Sequence, residues 1–156
     1  ILFVCHGNIC RSPMAEFVMK DLARKRGMGH ALLTASAATH DDEIGSPVHP
    51  GTRRVLAEVG IFCDGKTARR LRRADAGEWD LFVGMDEANL RDMRRQLGRE
   101  AAERCVKLLE FAGSDRDVAD PWYTGDFETT YDDVVAGCTG ILAWLEADAR
   151  VRASCS

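Results

Sequence analysis

The chain opens on an unbroken apolar run, Ile1-Leu2-Phe3-Val4-Cys5, too short for a helix and without the alternation of a half-exposed strand. Such a run predicts a strand buried on both faces, as in a parallel sheet. Ser12-Pro13 then supplies a helix cap followed by proline at the first helical position, and Met14, Phe17, Val18 and Leu22 continue at helical spacing. Gly27 and Gly29 close that helix. Ala31–Ala38 contains a second strand, and residues 39–50 form a polar loop with two prolines. A helix is expected over Thr52–Val59, ended by Gly60, with a basic helical stretch after it. A strand at Leu81–Met85, a helix from Glu87 to about Leu97, a strand at Val106–Leu109, a loop over 112–125 and a last helix from Phe127 to about Ala149 complete the pattern.

Strands that alternate with helices predict an α/β fold: a doubly wound sheet of four parallel strands flanked by helices. No repeat, linker or low-complexity tract divides the chain, so residues 1–156 are expected to form a single domain. Ligands of such sheets bind beyond the carboxyl ends of the strands, where Cys5 falls.

Composition narrows the function classes. A net charge of -4 gives no reason to expect nucleic acid or an anionic membrane as partner, although 17 of the 21 basic residues are arginine. The run Arg69-Arg70-Leu71-Arg72-Arg73 is expected as a solvated helix face. No stretch reaches the length of a membrane span, and no charged-then-apolar leader is read at the start. The abrupt apolar opening leads us to expect a few residues before Ile1. Six cysteines, at positions 5, 10, 63, 105, 138 and 155, are dispersed without the paired spacing of a zinc site. A reduced, cytoplasmic setting and a monomer are expected. The four histidines, His6, His30, His40 and His49, form no metal-ligand pattern.

The spacing Cys-x5-Arg occurs twice, from Cys5 to Arg11 and from Cys63 to Arg69, and context separates the two. Around Cys5 a buried strand ends, glycine follows two residues on, and a capped helix begins just after the arginine. Successive backbone N–H groups of such a loop curl round a tetrahedral anion that the helix N-terminus also faces. The same field stabilises a thiolate at Cys5. Arg11 offers a planar fork to two phosphoryl oxygens. Asn8 suits a left-handed turn and ties the loop through its amide, and Ser12 donates a hydroxyl hydrogen bond to the sulfur. The phosphate-binding loop is therefore His6, Gly7, Asn8, Ile9, Cys10, Arg11 and Ser12. Around Cys63 the neighbours are a short apolar segment and arginines, and a structural cysteine is expected.

The segment Val4-Cys5-His6-Gly7-Asn8-Ile9-Cys10-Arg11-Ser12-Pro13-Met14-Ala15-Glu16 resembles the signature of the low-molecular-weight protein tyrosine phosphatases. Leu81–Leu90 is similar to that family's central strand ending in Met85-Asp86, and Asp120-Pro121-Trp122-Tyr123 to its general-acid loop. The resemblance implies a protein tyrosine phosphatase of bacterial type, working through a phosphocysteine intermediate without metal or organic cofactor. Cys5 is the implied nucleophile, Arg11 the anion binder and Asp120 the general acid. Ile9, Asp42, Trp122 and Tyr123 are the implied walls of the substrate pocket. Relatives that dephosphorylate arginine are marked by threonine where Ile9 stands, so a phosphotyrosine-containing protein is the expected substrate.

Two positions depart from the family pattern: Asp41-Asp42 stand where an aromatic is frequent, and Lys66 stands where many members have a histidine bracing the loop. Cys10, five residues past the nucleophile, is the expected redox partner in a reversible Cys5–Cys10 disulfide. The rival readings are an arsenate reductase on the same scaffold, which needs a relay of thiols, and a non-catalytic phosphate-binding or thiol-switch module.

Overall fold

The computed structural model describes residues 1–155, with the backbone alone for Val151 and Arg152; Ser156, the last residue of the expected domain, lies outside the described residues. Four strands, β1 (Leu2–Cys5), β2 (Ala35–Ala38), β3 (Phe82–Gly84) and β4 (Cys105–Lys107), form one sheet in the order β2-β1-β3-β4. Every pairing is parallel, with Leu2 opposite both Ala35 and Phe82, and Phe82 opposite Cys105. The chain winds from β1 outward to β2 and then returns across to β3, so the winding reverses between β1 and β3. A crevice opens at the carboxyl ends of the strands at such a reversal.

Strand β1 is buried along its whole length, and its period of two divides the core between the two faces of the sheet. Ile1, Phe3 and Cys5 join Met14, Val18 and Met19 of helix α1 (Arg11–Lys25), and Val134, Cys138 and Ile141 of helix α6 (Phe127–Ser154). Leu2 and Val4 join Leu90, Met93 and Leu97 of helix α3 (Glu87–Leu97) on the other face. Burying a side chain such as Phe3, fully inaccessible here, contributes about 1.5–3 kcal/mol. Helix α2 (Pro50–Glu58) lies beside α1 and α6, and two short helices, α4 (Arg99–Ala102) and α5 (Pro121–Thr124), sit in connecting segments. Gly137 and Gly140 let α6 come against the 3-10 turn Leu108–Ala112, because a Cβ at either would overlap the Leu108 side chain or the Phe111 carbonyl. No helix among the described residues is long and apolar enough to cross a membrane.

Three expectations from the sequence are corrected. Helix α1 starts at Arg11 with Cys10 at its N-cap, and that cap has no side-chain hydrogen bond. Ser12 lies inside the first turn and its hydroxyl is engaged elsewhere. The basic stretch is not a helix: Ala38 N donates to Arg69 O at 2.8 Å and Leu71 N to Ala38 O at 2.8 Å, which lays this segment along the open edge of β2. A 3-10 turn follows at Arg73–Gly77. The last strand ends at Lys107, two residues early, because Leu108–Ala112 coils under α6.

Candidate active site

The turn from β1 into α1 is shaped by Asn8, whose backbone is left-handed at φ 58°. Asparagine tolerates that conformation better than most residues, and here its side chain holds the loop from within. Asn8 Nδ2 donates to Ser12 Oγ at 2.8 Å and to Ser36 Oγ at 2.9 Å, and Asn8 Oδ1 accepts from Arg69 N at 3.1 Å. Ser36 in turn donates to Glu16 Oε1 at 2.6 Å. Lys66 Nζ lies 3.2 Å from the same Glu16 oxygen and donates to Ser36 O at 3.1 Å. A buried chain Asn8–Ser36–Glu16–Lys66 thus braces the loop, with Lys66 acting through a carboxylate and a hydroxyl. Sequence reasoning missed Ser36 and Glu16; nothing local marks a serine on an outer strand as part of a loop 28 residues away.

This bracing points donors at Cys5. Ser12 Oγ lies 3.0 Å from Cys5 Sγ, and Ser12 N donates to the sulfur at 3.4 Å. Because Ser12 Oγ already accepts from Asn8, its own proton is directed to the sulfur. Two donors from the first turn of a helix on one sulfur favour its anionic form. Cys5 itself is 3 % exposed.

Arg11 is 2 % exposed. Its Nη1 donates to Asp86 Oδ2 at 2.7 Å and Val118 O at 3.0 Å, and its Nη2 to Asp120 Oδ2 at 3.3 Å. Its Nε is buried without a protein acceptor. A buried N–H lacking an acceptor is costly, and a phosphoryl oxygen at the loop supplies one. Asp86 caps α3 through Asn89 N at 2.8 Å, so one carboxylate fixes both the helix start and the guanidinium. Asp120 caps α5, accepting from Trp122 N at 3.1 Å, with Pro121 in the first helical position. The Asp120 carboxylate is thus held by its own short helix on one side and by Arg11 on the other.

Cys5, His6, Gly7, Ile9, Cys10 and Arg11 line one cleft of about 430 Å³ together with Asp120, Trp122, Tyr123 and Asp42. Asn8 and Ser12 lie beneath it, fully buried. The cleft also brings in Glu43, Asp86, Ala88, Asn89 and Asp92, of which only Asp86 had drawn notice in the sequence. Trp122 and Tyr123 stand 57 % and 83 % exposed at the mouth of the cleft. His49 supports Trp122 edge-on, stacks on Phe127 and accepts from Gly51 N through Nδ1. Asp42 accepts from or pairs with His6 Nε2 at 2.7 Å, and His6 stacks on His40 at 3.9 Å. That bond to His6 holds the Asp42 carboxyl below the ordinary carboxylate range.

Cys10 packs with Ile9, Val55 and Phe127, and burial, aided by the nearby Cys5, pushes its thiol up to about 12. Of the six cysteines, all free, Cys5 and Cys10 alone line the cleft. Cys63 is a buried core residue, and the Arg69 side chain pairs with Asp75 at 3.1 Å, so the second Cys-x5-Arg builds no anion-binding loop. Asp117 and Asp126 are exposed, and each also holds local structure: Asp117 pairs with the buried Lys107 at 3.0 Å, and Asp126 accepts from Thr129 N at 3.0 Å. Among the described residues no group of three or more His, Cys, Asp or Glu could hold a metal ion.

The family model described as low molecular weight phosphotyrosine protein phosphatase matches residues 1–151. The low molecular weight protein-tyrosine-phosphatase YfkJ of Bacillus subtilis (strain 168) is 38% identical over 153 residues, covering 97% of this chain and 98% of that one. PtpA of Staphylococcus aureus (strain Newman), a protein of the same description, is 35% identical with 97% of each chain covered. The crystal structure of YfkJ superposes with a TM-score of 0.90 at 39% identity, over 94% of each chain.

Proposed function

The chain belongs to the low-molecular-weight phosphotyrosine protein phosphatases, and from that premise we propose that it hydrolyses phosphotyrosine in proteins through a phosphocysteine formed at Cys5. The observation that carries this assignment of roles is the convergence on one cleft of the Cys5 sulfur under two Ser12 donors, the unsatisfied Arg11 Nε and the Asp120 carboxyl.

In the first step Cys5 Sγ attacks phosphorus. The S–P bond forms, the bond to the tyrosine oxygen breaks, and the proton of Asp120 passes to that oxygen. Arg11 and the loop amides stabilise charge on the equatorial oxygens. In the second step water attacks the phosphocysteine and gives a proton to Asp120, the P–S bond breaks, and Cys5 departs as a thiolate held by Ser12. Trp122 and Tyr123 give the cleft aromatic walls and a depth suited to a ring-borne phosphate. Six free cysteines agree with a reducing, cytoplasmic setting.

A panel of substrates tests the reading. A phosphotyrosine peptide is expected to turn over at least about a hundredfold faster than its phosphoserine counterpart, whose short side chain cannot bring its phosphate to the floor, and faster than its phosphoarginine counterpart, which lacks the ring that Trp122 and Tyr123 flank. Faster turnover of phosphoarginine, or arsenate-dependent consumption of thiol, would overturn it. The reductase reading lacks a relay, because no third cysteine lines the cleft.

Cys10 supports a proposal of redox protection. Peroxide takes the Cys5 thiolate to a sulfenic acid, releasing hydroxide, and the Cys10 thiol then displaces water from it to close a disulfide that external thiol reopens. With its thiol pushed up to about 12, Cys10 closes the disulfide faster as pH rises. Cys10→Ser is expected to be inactivated by peroxide without recovery in dithiothreitol, whereas wild type recovers. Equal recovery of both would remove Cys10 from the role.

A further inference from the structure

Five carboxylates line the same cleft as Cys5: Asp42, Glu43, Asp86, Asp92 and Asp120. Three are compensated within the fold. Asp86 and Asp120 are held by Arg11, and Asp92, nearly buried, accepts from Arg95 at 3.0 Å. The other two come from the polar loop over 39–50, and they are different. The Asp42 side chain is 63% exposed and pairs with His6, whose own side chain is 47% exposed. Glu43 has no cationic partner among the described residues; its carboxylate accepts from Ser46 Oγ at 3.0 Å.

The floor and the rim of the cleft therefore carry opposite demands. At the floor, Arg11 Nε and the loop amides take a phosphoryl dianion. Once Arg11 is committed to that dianion, the open charge around it is that of Asp42 and Glu43, and no lysine lines the cleft. A peptide that satisfies both has phosphate on one side chain and cationic side chains beside it. An acidic neighbour would meet like charge at the rim.

We propose that this phosphatase selects phosphotyrosine flanked by lysine or arginine, and that Asp42 and Glu43 are the residues that set this preference. The proposal rests on the phosphotyrosine reading above. Asp42 thus has its own use where an aromatic wall is frequent in relatives: it selects by charge at the rim, while Trp122 and Tyr123 supply the ring contact.

The test compares kcat/KM for two phosphotyrosine peptides of equal length, one with lysine and one with glutamate on both sides of the phosphotyrosine, beside a small aryl phosphate with no flanks. Wild type is expected to prefer the lysine peptide by about tenfold at low salt, and by less as screening increases. Glu43→Gln, which leaves the His6–Asp42 pair in place, is expected to lower that ratio, and Asp42→Asn with Glu43→Gln to bring it to about two or below. Hydrolysis of the aryl phosphate with equal use of both peptides, or a ratio unmoved by the double variant, would overturn the rim assignment and leave the phosphatase standing. Failure to hydrolyse any of the three would overturn both.

Discussion

Cys5→Ser is expected to lose at least about 10⁴-fold in kcat/KM toward an aryl phosphate while remaining folded and still binding inorganic phosphate. The loss follows from the nucleophile alone. A serine hydroxyl stays protonated at neutral pH, and the two Ser12 donors that favour a thiolate at 3.0 and 3.4 Å cannot ionise it. The fold survives because serine is nearly isosteric with the buried cysteine at the end of β1, and the sheet pairing of that strand uses backbone groups. Phosphate binding survives because Arg11 and the loop amides are untouched. Steady-state kinetics together with titration calorimetry separate the two properties. Undiminished hydrolysis would remove Cys5 from the mechanism, and wild type that bound phosphate without turnover would identify a binding module.

Asp120→Asn is expected to lower kcat by about 10²–10³-fold for phosphotyrosine and by much less for an aryl phosphate with a strongly acidic phenol. Tyrosine leaves poorly as an anion, its hydroxyl having a pKa near ~10, so the proton matters most there. Asparagine keeps one oxygen, which suits Trp122 N and preserves the start of α5, while its amide group replaces the oxygen that faced Arg11 and the transferable proton is gone. The contrast between the two leaving groups is the diagnostic. Equal losses on both would mean that the substitution had disturbed the site rather than withdrawn an acid.

How far the sequence could be read depended on the distance over which each feature is decided. Strand β1, the left-handed Asn8 and the helix after it are consequences of adjacent residues, and they were legible. Even there Ser12 misled: its identity suits a cap, but Asn8 and Cys5 claim its hydroxyl, so α1 starts without a side-chain cap. The stretch from Arg69 to Arg73 reads as a helix by composition, yet Ala38 on β2 offers an open edge some thirty residues earlier in the chain, and pairing with it wins. The meeting of Arg11 with Asp86 and Asp120, 75 and 109 residues away, is set by the sheet order and was accessible only through the family resemblance. In the chain through Ser36, Glu16 and Lys66, only Lys66 was marked, by its place where relatives carry a bracing histidine; Ser36 and Glu16 read as ordinary strand and helix residues.

The bonds of Arg11 carry an implication for how this protein can change over evolutionary time. Many catalytic groups weaken the fold that carries them, so variants can trade activity for robustness. Arg11 runs against that pattern. It is the cation between the cap of α3, the cap of α5 and the Val118 carbonyl, and its loss would leave two carboxylates facing each other across an empty space where a guanidinium had been. Lineages that abandoned the chemistry would gain no robustness by discarding this arginine, so it should persist even in descendants whose nucleophile has decayed.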